Sequence, residues 1–113
     1  MSIPFLPSYT MPRDPVRNRV GWRPEAHRAA LLIHDMQDYF VGKFDVKRAP
    51  IPDLISAIAH LRDRCRDLGI PVFYTAQPPV QPEADRALLN DFWGPGLTAP
   101  EHRDGARIVA ALS

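Results

Sequence analysis

A single cysteine, Cys65, among 113 residues excludes an internal disulfide and any thiolate-rich zinc site. Glycine is scarce, with six residues, and none forms a G-x-G-x-x-G run, a Walker loop or a G-x-S-x-G elbow. Nucleotide transfer and serine hydrolysis therefore lack the backbone cradle or the nucleophile they need. Charge of one sign is not in excess: 14 Lys and Arg against 13 Asp and Glu leave a net charge of +1, with no basic or acidic block. That balance gives no field for recruiting nucleic acid or anionic lipid. No wholly apolar run is longer than Ala29 to Ile33, which is far shorter than the roughly 20 residues needed to span a bilayer. The opening residues carry prolines and charges where a signal peptide needs an unbroken apolar stretch, so the expected location is the cytoplasm.

Proline is the one residue in surplus. Thirteen are present, more than twice the usual share, and they mark where the chain must turn. With 45% hydrophobic and 24% charged positions, the rest suits one soluble domain with a core. Residues 1–28 mix Pro4, Pro7, Pro12, Pro15 and Pro24 with Phe5, Leu6, Tyr9, Val16, Val20 and Trp22, a pattern neither helical nor strand-like. Disordered tails are poor in aromatics, so this reads as an extended arm that packs on the domain or on a second subunit.

Ala29-Ala30-Leu31-Leu32-Ile33-His34 is a short continuous apolar run, which predicts a strand buried on both faces. Beyond it, Leu54, Ile58, Leu61, Cys65 and Leu68 recur at helical spacing, with Arg62, Asp63, Arg66 and Asp67 on the other side. Asp53 is placed to cap this helix and Gly69 to close it. Pro71-Val72-Phe73-Tyr74-Thr75 predicts a second strand. Strand, helix and strand make a right-handed βαβ unit, so Asp35 and Gln77 leave the sheet at the same edge. Pro82 to Phe92 predicts a short helix, and the capping box Thr98-Ala99-Pro100-Glu101 a third running to Leu112. Two buried parallel strands are too few for a covered sheet, so a larger domain is expected, with a further strand beyond Ser113.

Several residues carry candidate chemistry. Asp35 stands at the carboxyl end of a buried strand, where ligands bind in open α/β sheets; it also reads as a turn cap. His34 is ambiguous between a base and a hydrogen-bonded structural residue. Gln77, before Pro78, offers a donor and an acceptor beside Asp35. Arg86, Leu89, Asn90 and Trp93 fall on one face of a short helix, where a guanidinium beside an indole can hold a carboxylate. Cys65 lies on the apolar stripe and reads as a small core residue, with nothing nearby to activate it.

Three blocks, His34-Asp35-Met36-Gln37-Asp38-Tyr39-Phe40 with its apolar lead, Tyr74-Thr75-Ala76-Gln77-Pro78, and Asp85 to Leu97 with Trp93-Gly94-Pro95-Gly96, occur in the order found in isochorismatases. The chain closely resembles the isochorismatase domains of catecholate siderophore pathways and, next, phenazine-pathway enzymes. The resemblance implies a three-layer doubly wound parallel α/β sheet and hydrolysis of the enol ether of isochorismate to pyruvate and 2,3-dihydro-2,3-dihydroxybenzoate. It implies Asp35 as the general acid and Gln37, Phe40, Gln77, Arg86 and Trp93 as substrate-binding residues, with no metal and no organic cofactor. It further implies a homodimer in the parent, with a carrier-protein domain or synthetase partners in some siderophore homologues.

The resemblance covers about the first half of the family's domain, so residues 29–113 are expected to be a truncated, N-terminal half of it. The family's catalytic lysine would fall beyond Ser113. Two alternatives stay open at this point. One is a cysteine amidase of the same superfamily, such as a nicotinamidase, although Ala76-Gln77-Pro78 replaces the Asp-Trp-His of metal-binding relatives. The other is a truncated, non-catalytic remnant that associates through an exposed sheet edge.

Overall fold

Two four-residue strands, β1 (Leu31–His34) and β2 (Val72–Thr75), pair in parallel, with Leu31 opposite Val72 and His34 opposite Thr75. The computed structural model describes residues 2–113; Met1, the first residue of the expected arm, lies outside them. Between the strands run α1 (Asp38–Val41) and the 17-residue α2 (Ile51–Asp67), which packs against both strands. After β2 come α3 (Glu83–Arg86) and α4 (Leu89–Trp93), then 3₁₀ turns at Gly96–Thr98, Pro100–Ala106 and Ala110–Leu112. The architecture is mixed α/β around a two-stranded parallel sheet.

The expected burial of β1 on both faces is corrected. Leu31, Ile33, Val72 and Tyr74 turn inward, whereas Leu32 is 58% and Phe73 56% exposed. A period-two strand buries both sets only when a layer covers each face, and the elements present cover one. The stripe on α2 also lies slightly round from its expected position. Ile51 and Cys65 are buried while Leu61 and Leu68 are half exposed, and Arg62 turns inward so that its Nη1 donates to the Ala111 carbonyl. Asp53 does not cap α2. Pro50 stands at the cap, and Asp53, in the first turn, pairs instead with Arg13 at 3.1 Å. Gly69 does close the helix region, with φ of +71°, a conformation that disfavours a side chain.

The two later helices are corrected more strongly. The stretch from Pro82 to Phe92 breaks into α3 and α4 at Ala87, whose φ is +45°. The Asn90 side-chain amide donates to the carbonyls of Glu83 and Ala87, and the Asp91 N–H, which a continuing helix would give to Ala87 O, goes to Leu88 O instead. The Thr98 capping box forms no α-helix, because the Thr98 hydroxyl donates back to Pro95 O and the following carbonyls are claimed from outside. Gln37 takes Ala106 O and the Asp38 amide takes Arg107 O, which draws residues 107–109 into an extended bridge beside Gln37.

The first half of the arm packs on this framework. Leu6 N–H donates to Lys43 O and Tyr9 N–H to Ala49 O, the Tyr9 ring meets Phe44 edge-on, and Lys43 Nζ sits over Phe5. Val16, Val20 and Trp22 farther along are exposed. Cys65 is buried, as expected of a small core residue.

Candidate functional site

The chain leaves β1 through a strained residue. Asp35 has φ of +48°, a region that Asp tolerates better than most side chains yet still at a cost of about 1–3 kcal/mol. Thr75, the last residue of β2, holds it there: the Asp35 N–H donates to Thr75 O at 3.2 Å and Oγ1 at 3.0 Å, and the Thr75 hydroxyl donates to Asp35 Oδ1 at 2.8 Å. Because that hydroxyl proton goes to Asp35, the 2.7 Å contact from His34 Nδ1 is a donation from the ring. His34 itself is exposed, with Nε2 3.7 Å from Asp35 Oδ2.

Two residues on, Gln37 is fully buried and bonded through both ends of its amide. Its Nε2 donates to Gln77 O at 2.9 Å and Ala106 O at 2.6 Å, and its Oε1 accepts from Gln77 N–H at 2.8 Å. Both amide protons are committed, so Gln37 has no free donor, and its contacts are those of a residue that positions its neighbours. It clasps the Gln77 backbone on both sides, and Gln77 lines the cavity. Gln37→Leu is expected to leave the buried Gln77 and Ala106 groups unpaired and to destabilise the fold by about 2–4 kcal/mol, read from urea unfolding.

Phe40, Gln77, Arg86 and Trp93 line one cavity, together with Ile3 from the arm and Tyr39, Leu89, Gly96 and Leu97. Asp35 does not line it but stands at the neighbouring strand end, tied to it through Thr75 and Gln77. Arg86 is 5% exposed; its Nε donates to Asn90 Oδ1 at 3.1 Å and its Nη2 to Gly94 O at 2.7 Å. Among the described residues no carboxylate pairs with it. Sequence spacing placed Arg86 and Trp93 on one helical face; the break at Ala87 instead brings them together around a turn, with the Asn90 amide at its centre.

Two contributors escaped the sequence reading. Ile3 reaches the cavity only because the arm folds back, and no local spacing encodes that return. Tyr39 is 7% exposed, and burial raises its phenol above the ordinary range while the Arg86 charge partly opposes the rise. The signal available was a hydroxyl on a residue that must face inward from a one-turn helix.

Among the described residues no group of three or more His, Cys, Asp or Glu is placed to hold a metal ion, and no helix is long and apolar enough to cross a membrane. The isochorismatase-domain family model matches residues 29–112. The chain is similar to a Bacillus subtilis protein named isochorismatase, 49% identical over 115 residues, covering 100% of this chain and 36% of that protein. It is also similar to enterobactin synthase component B of Escherichia coli K12, 53% identical over 106 residues, covering 91% and 37%. A probable isochorismatase of Pseudomonas chlororaphis is 41% identical over 119 residues, covering 98% and 53%. The chain thus spans between about a third and a half of the length of these relatives.

Proposed function

The chain belongs to the isochorismatase family, and from that premise we propose that its chemistry is hydrolysis of the enol ether of isochorismate, in the synthesis of 2,3-dihydroxybenzoate siderophores. The observation that carries this reading is the cavity in which a buried guanidinium without a carboxylate partner meets Phe40 and Trp93, beside the strained Asp35. Arg86 binds a carboxylate of the substrate, Gln77 a hydroxyl or the ether region, and the two aromatic rings enclose the cyclohexadiene. Asp35 is the general acid: its proton goes to the terminal carbon of the enolpyruvyl group, and the positive charge is shared with the ether oxygen. Water adds to that cation and loses a proton to the Asp35 carboxylate. In the resulting hemiketal the bond to the oxygen on the ring carbon breaks: that oxygen takes the proton now on Asp35 and leaves as a hydroxyl, while the hemiketal hydroxyl returns its proton to Asp35 and becomes the carbonyl of pyruvate.

The βαβ unit supports a three-layer, doubly wound sheet as the domain's fold, with an arm over residues 1–28 and the hydrolase portion over 29–113. A homodimer in the cytoplasm, working with a carrier-protein domain or synthetase partners, is the setting we propose. Cys65 is buried in α2 and does not line the cavity. The test is pyruvate formation from isochorismate, followed through lactate dehydrogenase. One pyruvate per isochorismate consumed is expected; a folded protein that releases none overturns the proposal.

A further inference from the structure

We propose that the Tyr39 hydroxyl is a ligand-binding group, donating a hydrogen bond to the same anionic oxygen pair that the Arg86 guanidinium holds in the cavity. The substrate's identity rests on the reading above; the anion subsite does not.

Tyr39 Oη is the one buried side-chain polar atom among the described residues that has no hydrogen-bond partner. Buried hydroxyls are almost always paired, and each exception asks for an explanation. The ring cannot swing to find a partner. Phe40 packs edge-on at 5.1 Å between centroids, His102 lies at 5.1 Å, and Lys43 Nζ sits 4.7 Å above the ring face. His102 is held in turn by its Nδ1, which is 2.9 Å from Gly96 O.

The orphan hydroxyl and the guanidinium lie close to one point beside Gly96. A methyl group on Gly96 would stand 3.2 Å from Arg86 Nη2 and 3.8 Å from Tyr39 Oη. With Nε and one Nη2 proton committed to Asn90 and Gly94, the Nη1 pair and the second Nη2 proton remain available. A guanidinium is a donor only, so it cannot satisfy the phenol proton. Two sets of donors that converge without an acceptor between them are complementary to an anion, and a carboxylate has the oxygens and the charge to take both. A phenol is protonated at neutral pH, the form a donor needs, and burial moves its titration further from neutrality.

The experiment compares a carboxylate probe with its neutral counterpart. Wild type and Tyr39→Phe, which retains the packed ring, are titrated with benzoate and with benzamide, followed by the fluorescence of Trp93 on the cavity wall. Wild type is expected to prefer benzoate; Tyr39→Phe is expected to lose about tenfold or more in benzoate affinity and to keep its benzamide affinity. With isochorismate the same variant raises KM by a similar factor with little change in kcat. A measurement on the wild type removes dependence on the variant's folding: the Cζ resonance of carbon-labelled Tyr39 is expected to move on adding benzoate and to stay put with benzamide.

Equal benzoate affinity in Tyr39→Phe overturns the assignment and leaves an ordered water as the phenol's partner. Equal losses for benzoate and benzamide overturn it in favour of packing alone, and so does absence of benzoate binding to wild type. The two proposals fail separately. Benzoate selectivity without pyruvate release from isochorismate removes the ether hydrolysis and keeps the subsite, whereas pyruvate release with an indifferent Tyr39→Phe does the reverse.

Discussion

Asp35→Asn is expected to lower pyruvate release from isochorismate by about 10³-fold, within the range for loss of a general acid, with KM nearly unchanged. The substitution is chosen for the backbone. At φ of +48° an Asn is tolerated almost as well as Asp, and its side-chain oxygen can still accept the Thr75 hydroxyl proton. What disappears is the transferable proton. Ala would add backbone strain and remove the Thr75 bond, so a loss of activity there would confound catalysis with the shape of the strand end. Thermal melts of Asp35→Asn close to wild type, together with the slow rate, would locate the defect in the chemical step. A rate equal to wild type would remove Asp35 from the reaction.

The part of this fold legible in the sequence is the part whose order is local and periodic. The β1 run is continuous and apolar, the stripe from Leu54 to Cys65 recurs at helical spacing, the Val72–Thr75 strand is β-branched and aromatic, and the parallel pairing with Asp35 and Gln77 at one edge follows from their order. The stripe departs from its periodic position where a long side chain has two options. Spacing puts Arg62 on the polar side, yet its side chain is largely covered and its head reaches the Ala111 carbonyl, while Leu61 and Leu68 turn partly to solvent.

What spacing could not show was decided by single side chains acting at a distance in sequence. Asn90 gathers the carbonyls of Glu83 and Ala87 and so divides a predicted helix, and Gln37 captures Ala106 and Gln77 and so unwinds another. Both are amides that can bond donors and acceptors together, and each overrides the signal for a short helix, which has little stability of its own. The candidate site shares this character. The chemical types at Asp35, Gln77, Arg86 and Trp93 were readable from their blocks, but the clasp of Gln37 on Gln77 and Ala106 exists only once those residues have met, and the orphan hydroxyl of Tyr39 only once the chain has packed around it.

Arg86→Lys should raise KM for isochorismate by about 10²-fold while kcat falls only a few-fold, the signature of lost binding that ground and transition states share. A buried cation without a counter-charge is destabilising by several kcal/mol, and the bonds to Asn90 Oδ1 and Gly94 O only partly offset that in Arg86. Binding of a carboxylate completes the compensation. Lysine keeps the charge, but its single ammonium cannot hold Asn90, Gly94 and a bidentate carboxylate in one plane. Arg86→Met separates the structural share from the binding share. It strands the Gly94 carbonyl and the Asn90 amide oxygen and should reduce stability by about 2–4 kcal/mol in urea melts. If Arg86→Lys instead bound isochorismate as tightly as wild type, the guanidinium would serve only to tie the α3–α4 turn together, and the carboxylate would have to be sought elsewhere in the cavity.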